Sequence, residues 1–206
     1  MADGIVGNHF DKYDTTNPIE RNLTQRFLRT VGSLYASQQA STALEVGCGE
    51  GRLADHLVRH HHRPQRFVAC DLSLEKRAEG LDADIIFRES SIYALPDADD
   101  SFDLVLCCEV LEHLEEPAKG LAELTRVARK AVLISTPREP LWRFLNMARG
   151  KYWANLGNTP DHVQHFSKRA LIGLAATELE VLETRTPVPW TVVLGRPREQ
   201  PRHVAR

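Results

Sequence analysis

An α/β fold, its sheet mostly parallel and covered by helices on both faces, is what this chain of 206 residues predicts, and three observations carry it. Short continuous apolar runs (TALEV, RFVACD, ADIIF, FDLVLCC, KAVLIS) alternate with stretches of helical periodicity. Such runs read as strands buried on both faces, and their alternation with helices implies parallel pairing. The first run breaks into Gly47-Cys48-Gly49-Glu50-Gly51 and then into a helical pattern. Glycines there allow positive φ and close backbone approach, and the following helix start offers free N–H groups to a ligand. The second run ends on Asp71, where a carboxylate closing a strand can accept both hydroxyls of a ribose. A dinucleotide fingerprint would place its third glycine at position 52, which is Arg52; the compact GxGxG form, led by Glu45, suits a nucleoside without pyrophosphate.

Residues 1–17 are polar and read as an arm that orders over the site. Pro18 suits a first helical turn, and Ile19, Leu23, Phe27, Leu28, Val31 and Leu34 recur at helical spacing. The first strand, TALEVG, leads into the helix GRLADHLVRHH. RFVACD follows, with a short helix expected from Leu74, then ADIIF and a loop, then FDLVLCC and a helix through Leu114. An amphipathic helix from Pro117 to about Ala128 precedes the fifth strand, KAVLIS. Residues 137–166 mix prolines, glycines, aromatics and polar groups and read as an acceptor-lid insertion with one short helix, Leu141 to Ala148. Ser167 can cap a helix through Leu179, and LEVLETRTP and PWTVVLGRP form an antiparallel pair at the sheet edge. Residues 18–196 are thus expected to make one domain, with 197–206 a mobile tail.

A formal net charge of −2 supplies no global field for holding a polyanion, so a small-molecule partner is expected rather than nucleic acid. No apolar stretch is long enough to span a bilayer and the opening residues lack a secretory pattern, which gives a cytoplasmic expectation. Cys48, Cys70, Cys107 and Cys108 have neither disulfide-framework nor CxxC spacing and are expected to be reduced and buried.

Glu45, Gly47, Gly49, Gly51, Asp71 and the stretch LPDADDSFDLVLCCEVLEHLEEP together resemble the class I S-adenosylmethionine-dependent methyltransferases, strongly from Ala43 to Thr136 and weakly elsewhere. The resemblance implies a Rossmann-like seven-stranded sheet with an antiparallel C-terminal strand, and S-adenosylmethionine as cofactor. It implies that Gly47, Gly49 and Gly51, with Cys48 between them, approach the methionine part while Glu45 supports the loop. Asp71, followed by Leu72, would hold the ribose, Ser91 and Ile92 would flank adenine, and Cys108 would offer its backbone near the amino-acid end.

Glu109-Val110-Leu111-Glu112-His113 is the second informative cluster. On a helix, Glu109, Glu112 and His113 share one face at the carboxyl end of the sheet, and two carboxylates with an imidazole supply most of a divalent-metal site. A similar ExxEH segment in ubiquinone-biosynthesis O-methyltransferases and small-RNA 2′-O-methyltransferases implies a divalent ion (Mg, Mn or Zn) that gathers acceptor oxygens. A histidine from a later segment would join it; Asp161-His162 is the best match and His165 the second. Other small-molecule methyltransferases carry the segment with no known metal, so a proton-accepting network of His113, His162 and Glu109 stands beside the metal reading. Glu115 and Glu116 read as solvated, and His60-His61-His62 as a solvated helix end. Tyr13, Trp142, Phe144, Tyr152 and Trp153, with Arg138 and Arg143, suggest a pocket for a planar or acidic small molecule.

The reaction expected is methylation of a small molecule, on oxygen before nitrogen or carbon. RNA 3′-end methylation is one alternative, opposed by the absence of overall positive charge and of an appended RNA-binding domain. A cofactor-binding protein without transferase activity is the other, opposed by the intact loop from Gly47 to Gly51 and Asp71.

Overall fold

A computed structural model describes residues 15–148 and 162–198. The first helix, α1 (Pro18–Ser37), starts where Asn17 accepts hydrogen bonds from the N–H groups of Ile19 and Glu20, with proline in the first turn. Phe27, Val31, Leu34 and Tyr35 lie on its buried face, whereas Ile19 remains exposed. The sheet strands are β1 (Thr42–Val46), β2 (Arg66–Asp71), β3 (Ile85–Glu89), β4 (Phe102–Cys108), β5 (Ala128–Pro137), β6 (Leu179–Arg185) and β7 (Trp190–Pro197). Their spatial order is β3-β2-β1-β4-β5-β7-β6; β1 to β5 are parallel and β7 runs antiparallel between β5 and β6. The chain reverses its direction of winding between β1 and β4, and the crevice outside the carboxyl ends of strands at such a point is where ligands bind in open α/β sheets.

Burial on both faces explains the unbroken apolar runs. One face packs Ala43, Phe67, Leu104 and Leu133 under α1 and α2 (Arg52–His60), with Leu53 and Leu57 inserted between. The other packs Leu44, Val68, Val105 and Val132 under α3 (Pro117–Val127) and α5 (Lys168–Glu178), whose Leu121, Leu124 and Leu171 are fully buried. A further helix, α4 (Leu141–Ala148), follows β5, and Ser167 caps α5 by accepting from the Ala170 N–H. At the amino end, buried Asp103 accepts bonds from the Ser41 N–H (2.9 Å) and the Arg129 guanidinium (2.6 Å). Burial alone would raise its pKa, but Arg129, Lys130 and the Ser41 N–H outweigh that and hold the carboxyl well below its ordinary range. That ionised group ties β1 and β5 to β4 and leaves the carboxyl end free to specialise.

Three expectations need correction. No helix forms from Leu74: the segment is a series of turns whose backbone bonds run outward, Ala78 N–H to the Glu50 carbonyl and Leu74 N–H to the Glu89 carboxylate. The Arg77 N–H bond to the Leu74 carbonyl closes a single turn within it, and the Ala78 bond ties it to the glycine loop. After β4 the chain makes only a 3-10 turn, Leu111–His113, and Glu109 stands outside it in a left-handed conformation (φ +64°), so the helical face expected from Glu109 to His113 does not form. The three consecutive histidines are also not one solvated end. His60 is exposed, the His61 ring lies against Gly32, and the His62 ring bonds the Ala40 carbonyl.

Of the expected arm only Thr15–Asn17 is described, of the 137–166 insertion residues 137–148 and 162–166, and of the tail residues 197–198. Among the described residues no helix is long and apolar enough to cross a membrane. All four cysteines are free and buried.

Candidate functional site

The glycine loop is built by backbone. After β1, Gly47 (φ +78°) and Cys48 both donate to the Cys70 carbonyl, at 2.8 and 3.0 Å, so the loop is clamped to the end of β2. A Cβ on Gly47 would lie 2.2 Å from the Val110 side chain, and one on Gly51 (φ +79°) would lie 2.7 Å from the Phe87 ring. Gly51 also sits at the N-cap of α2 with no side chain to cap it, leaving the first-turn donors facing the crevice. Gly49 (φ +52°) differs: a Cβ there meets nothing within 4 Å, so the loop's apex borders open space.

Asp71 crosses that apex. One carboxylate oxygen accepts from the Gly49 N–H and the other from the Leu72 N–H, each at 2.7 Å. An ionised carboxylate has about four lone-pair sites, so both oxygens keep capacity for hydroxyl donors. Ser90 donates to the Asp71 carbonyl at 2.8 Å, which brings the end of β3 alongside. Leu72 is 58% exposed and presents an apolar side chain beside Asp71, whereas Ile92 turns into the core and Ser91 is bridged to Ala94. Buried Glu45 lies on β1 beneath the loop. Burial pushes the Cys48 thiol far above its ordinary pKa, with Glu45 and Asp71 adding to the shift, so it serves as a small neutral wall. Cys108 closes β4 at the same end, paired with Ser135 of β5.

Side chains from distant parts of the chain build the neighbouring half. Val110, pressed against Gly47, accepts from the His113 N–H at 2.9 Å and so joins the glycine loop to the 3-10 turn. Glu112, His113 and His162 each offer a ligand atom, and those atoms lie within 4.8 Å of one another. The His113 and His162 rings meet edge-on at 5.0 Å between centroids. Gln164 N–H donates to the Glu112 carbonyl at 2.8 Å, which seats the His162 segment on the turn. Burial, reinforced by His113 and His165, pushes the pKa of His162 down to about 4, so its ring is neutral at physiological pH and keeps one nitrogen lone pair. Trp142 of α4 stacks on His162 (6.3 Å) and contacts Trp190 (6.0 Å), making an aromatic wall.

Glu109 does not join this cluster through a helix face. Its carboxylate accepts hydrogen bonds from the Ser135 hydroxyl (3.3 Å) and from the Trp190 indole N–H. Sequence reasoning missed Trp190 and Ser135; the only signal was a tryptophan opening an apolar strand, and no local spacing links positions 109 and 190. Tyr13, Tyr152, Trp153 and Asp161 lie outside the described residues, as does the Phe144 side chain. Arg138 precedes α4 and Arg143 lies in its first turn; between β5 and α4, Glu139 is half-buried with its pKa raised by desolvation.

The chain matches a family model described as a methyltransferase domain over residues 44–135. It is 32% identical over 165 residues to the ubiquinone biosynthesis O-methyltransferase of Paracidovorax citrulli, covering 73% of this chain and 68% of that protein. It is 36% identical over 94 residues to the demethylmenaquinone methyltransferase of Porphyromonas gingivalis, covering 42% of this chain and 38% of that one. Beyond the first of these, the chain spans about a third to a half of the length of the curated relatives it matches. Among solved structures, magnesium protoporphyrin IX methyltransferase from Synechocystis, with bound SAH, superposes with a TM-score of 0.64 over 89% of each chain at 15% identity, a likeness of fold.

Proposed function

The chain belongs to the S-adenosylmethionine-dependent methyltransferases, and from that premise we propose that it transfers the methyl group to an oxygen of a planar small molecule bearing adjacent hydroxyls. The observation that carries this reading is the convergence of Glu112, His113 and His162 within 4.8 Å, one turn away from the loop that the Val110 side chain touches. The relatives named for ubiquinone and menaquinone biosynthesis support an aromatic, quinol-like acceptor.

In this reading Gly47, Gly49, Gly51 and Cys48 line the methionine end of the cofactor, with Glu45 beneath them. Asp71 accepts the ribose hydroxyls, Leu72 packs on adenine, Ser91 and Ile92 border it through their backbone, and Cys108 closes the amino-acid end. Residues 137–166 and the arm at 1–17 form the acceptor's cover. Trp142 gives the acceptor ring an apolar plane, and stacking on such a plane favours flat molecules. His113, half-buried, faces the acceptor and takes its hydroxyl proton, while His162, neutral, orients that hydroxyl through its lone pair. Methyl transfer then requires the oxygen in line with the sulfonium methyl, in a site dry enough to exclude water, so holding the acceptor supplies much of the acceleration.

One carboxylate and two imidazoles also make a donor set that fits a divalent ion such as Mg, Mn or Zn. Bound there, such an ion would supply Lewis acidity that draws two adjacent hydroxyls together and lowers their pKa. Glu112, His113 and His162 would hold it.

The test combines the protein with S-adenosylmethionine and a panel of catechols, phenols, amines and small-RNA 3′ ends, with manganese, magnesium or a chelator, and reads methylated product by mass. Product from catechols, abolished by chelation while S-adenosylhomocysteine affinity stays within about threefold, is the expected result. Chelator-resistant turnover would leave the histidine network and remove the ion. Transfer only to amines or RNA ends would overturn the acceptor class.

A further inference from the structure

Glu109 opens the ExxEH segment, yet its carboxylate is engaged by residues outside the cluster that the segment's other members form. The clustered donors among the described residues are Glu112, His113 and His162. Glu109 instead accepts from the Ser135 hydroxyl on β5 and the Trp190 indole on β7, and its own N–H donates to the Ser135 carbonyl at 3.0 Å. Its φ of +64° belongs to a region that side chains other than glycine rarely enter, so tertiary contacts must hold it there. The indole bond is suited to that task. Trp190 is only 4% exposed, so little water competes for the donor.

The contacts close a ring. From Glu109 the bond leads to Trp190, whose indole meets Trp142 at 6.0 Å; Trp142 stacks on His162 at 6.3 Å, and His162 meets His113 edge-on at 5.0 Å. His113 stands four residues after Glu109, at the end of the turn that Glu109 leads into. Four segments that share no local sequence, the β4 end, α4, the 162 segment and β7, are thereby fixed to one another around the acceptor half of the site.

We propose that Glu109 is a positioning residue: by accepting from Trp190 and Ser135 it locks the turn that carries Glu112 and His113 against His162, and it is not itself a metal ligand or proton acceptor. This rests on the reading of that cluster as the acceptor site. Replacing the carboxylate with an amide should preserve the lock, since the Gln oxygen can accept the indole N–H and its NH2 can donate to the Ser135 hydroxyl. Removing the side chain, or the indole N–H, should release it.

The experiment compares wild type, Glu109→Gln, Glu109→Ala and Trp190→Phe as complexes with S-adenosylhomocysteine. It reads nuclear Overhauser cross-peaks between the His113 and His162 rings and the His162 ring-proton shifts imposed by Trp142. Wild type and Glu109→Gln should show the cross-peaks and the same shifts. Glu109→Ala and Trp190→Phe should lose both, with affinity for S-adenosylhomocysteine changed less than threefold, which separates a local lock from general damage. If Glu109→Ala does not fold, Trp190→Phe decides from the other end of the bond. Cross-peaks absent in wild type, kept in a disrupting variant, or lost in Glu109→Gln would overturn the proposal.

Turnover on a catechol gives the second readout: kcat should fall at least tenfold in the disrupting variants and less than threefold in Glu109→Gln, with KM for S-adenosylmethionine unchanged. A Glu109→Gln enzyme as slow as Glu109→Ala would assign the charge a direct role and overturn the proposal. Should wild type methylate no catechol, the proposed reaction fails, and the spectroscopic comparison still judges Glu109.

Discussion

The two halves of the carboxyl end are held by different means. Around the glycine loop every fixing bond is donated by a main-chain N–H: Gly47 and Cys48 to the Cys70 carbonyl, Gly49 to the Asp71 carboxylate, Ser90 to the Asp71 carbonyl. Around His113 main-chain bonds such as Gln164 N–H to the Glu112 carbonyl are joined by side-chain contacts among residues up to 81 positions apart, as between Glu109 and Trp190. A backbone-built site is already shaped before ligand arrives, and it fails when a Cβ is added. A side-chain-built site depends on several elements docking together, and it fails when one long-range partner is cut.

Substitutions can break or sharpen that contrast, and Gly47→Ala should have the largest effect. The new Cβ would collide with Val110 at 2.2 Å in a left-handed conformation, and the short, β-branched Val110 side chain has no flexible end to swing aside. Overpacking and backbone strain together should cost about 3 kcal/mol, read as a fall in denaturation midpoint, and should disturb both halves because Val110 joins them. A fully stable, active variant would show that the loop is less constrained than its contacts state.

His162→Ala comes next. Removing a ring that orients or binds the acceptor should lower kcat by roughly a hundredfold while calorimetry finds cofactor affinity essentially intact. Loss of cofactor binding in this variant would erase the division between halves. Asp71→Ala should do the converse, weakening S-adenosylhomocysteine binding by about 1.5–3 kcal/mol as hydrogen bonds to a charged acceptor are lost. Its effect on kcat at saturating cofactor should be small.

Gly49→Ala is the mildest test and the sharpest control for the first. It shares the left-handed φ with Gly47, yet its Cβ would meet nothing within 4 Å. The expected cost is only the roughly 1–2 kcal/mol of placing an L side chain in that region, measured by denaturation, with any larger loss confined to cofactor affinity because the apex faces the ligand side. A penalty equal to that of Gly47→Ala would mean that conformation, and not space, dominates the loop.

Much of the fold could be read from residues because its causes are local or periodic. Apolar runs announce the strands, buried on both faces in β1, β2, β4 and β5 and half-exposed in the edge strand β3; Pro18 and Ser167 mark helix starts that the structure places as expected. The segment after Leu74 misled because its spacing permits a helix, while its backbone donors found better partners in Glu50 and Glu89. The turn after β4 misled in the same way. Its i, i+3, i+4 pattern assumed helical φ at Glu109, and the bonds to Ser135 and Trp190 favour another conformation.

The sequence by itself determined the strand-and-helix alternation, the glycine loop and its acidic partner, since each follows from hydrophobic period or from backbone freedom within a few residues. Only the tertiary structure decided which ExxEH members gather with His162. That choice depends on whether a carboxylate meets an indole from β7 or an imidazole from the 162 segment, and contact energies between residues distant in the chain leave no periodic trace in the order of amino acids.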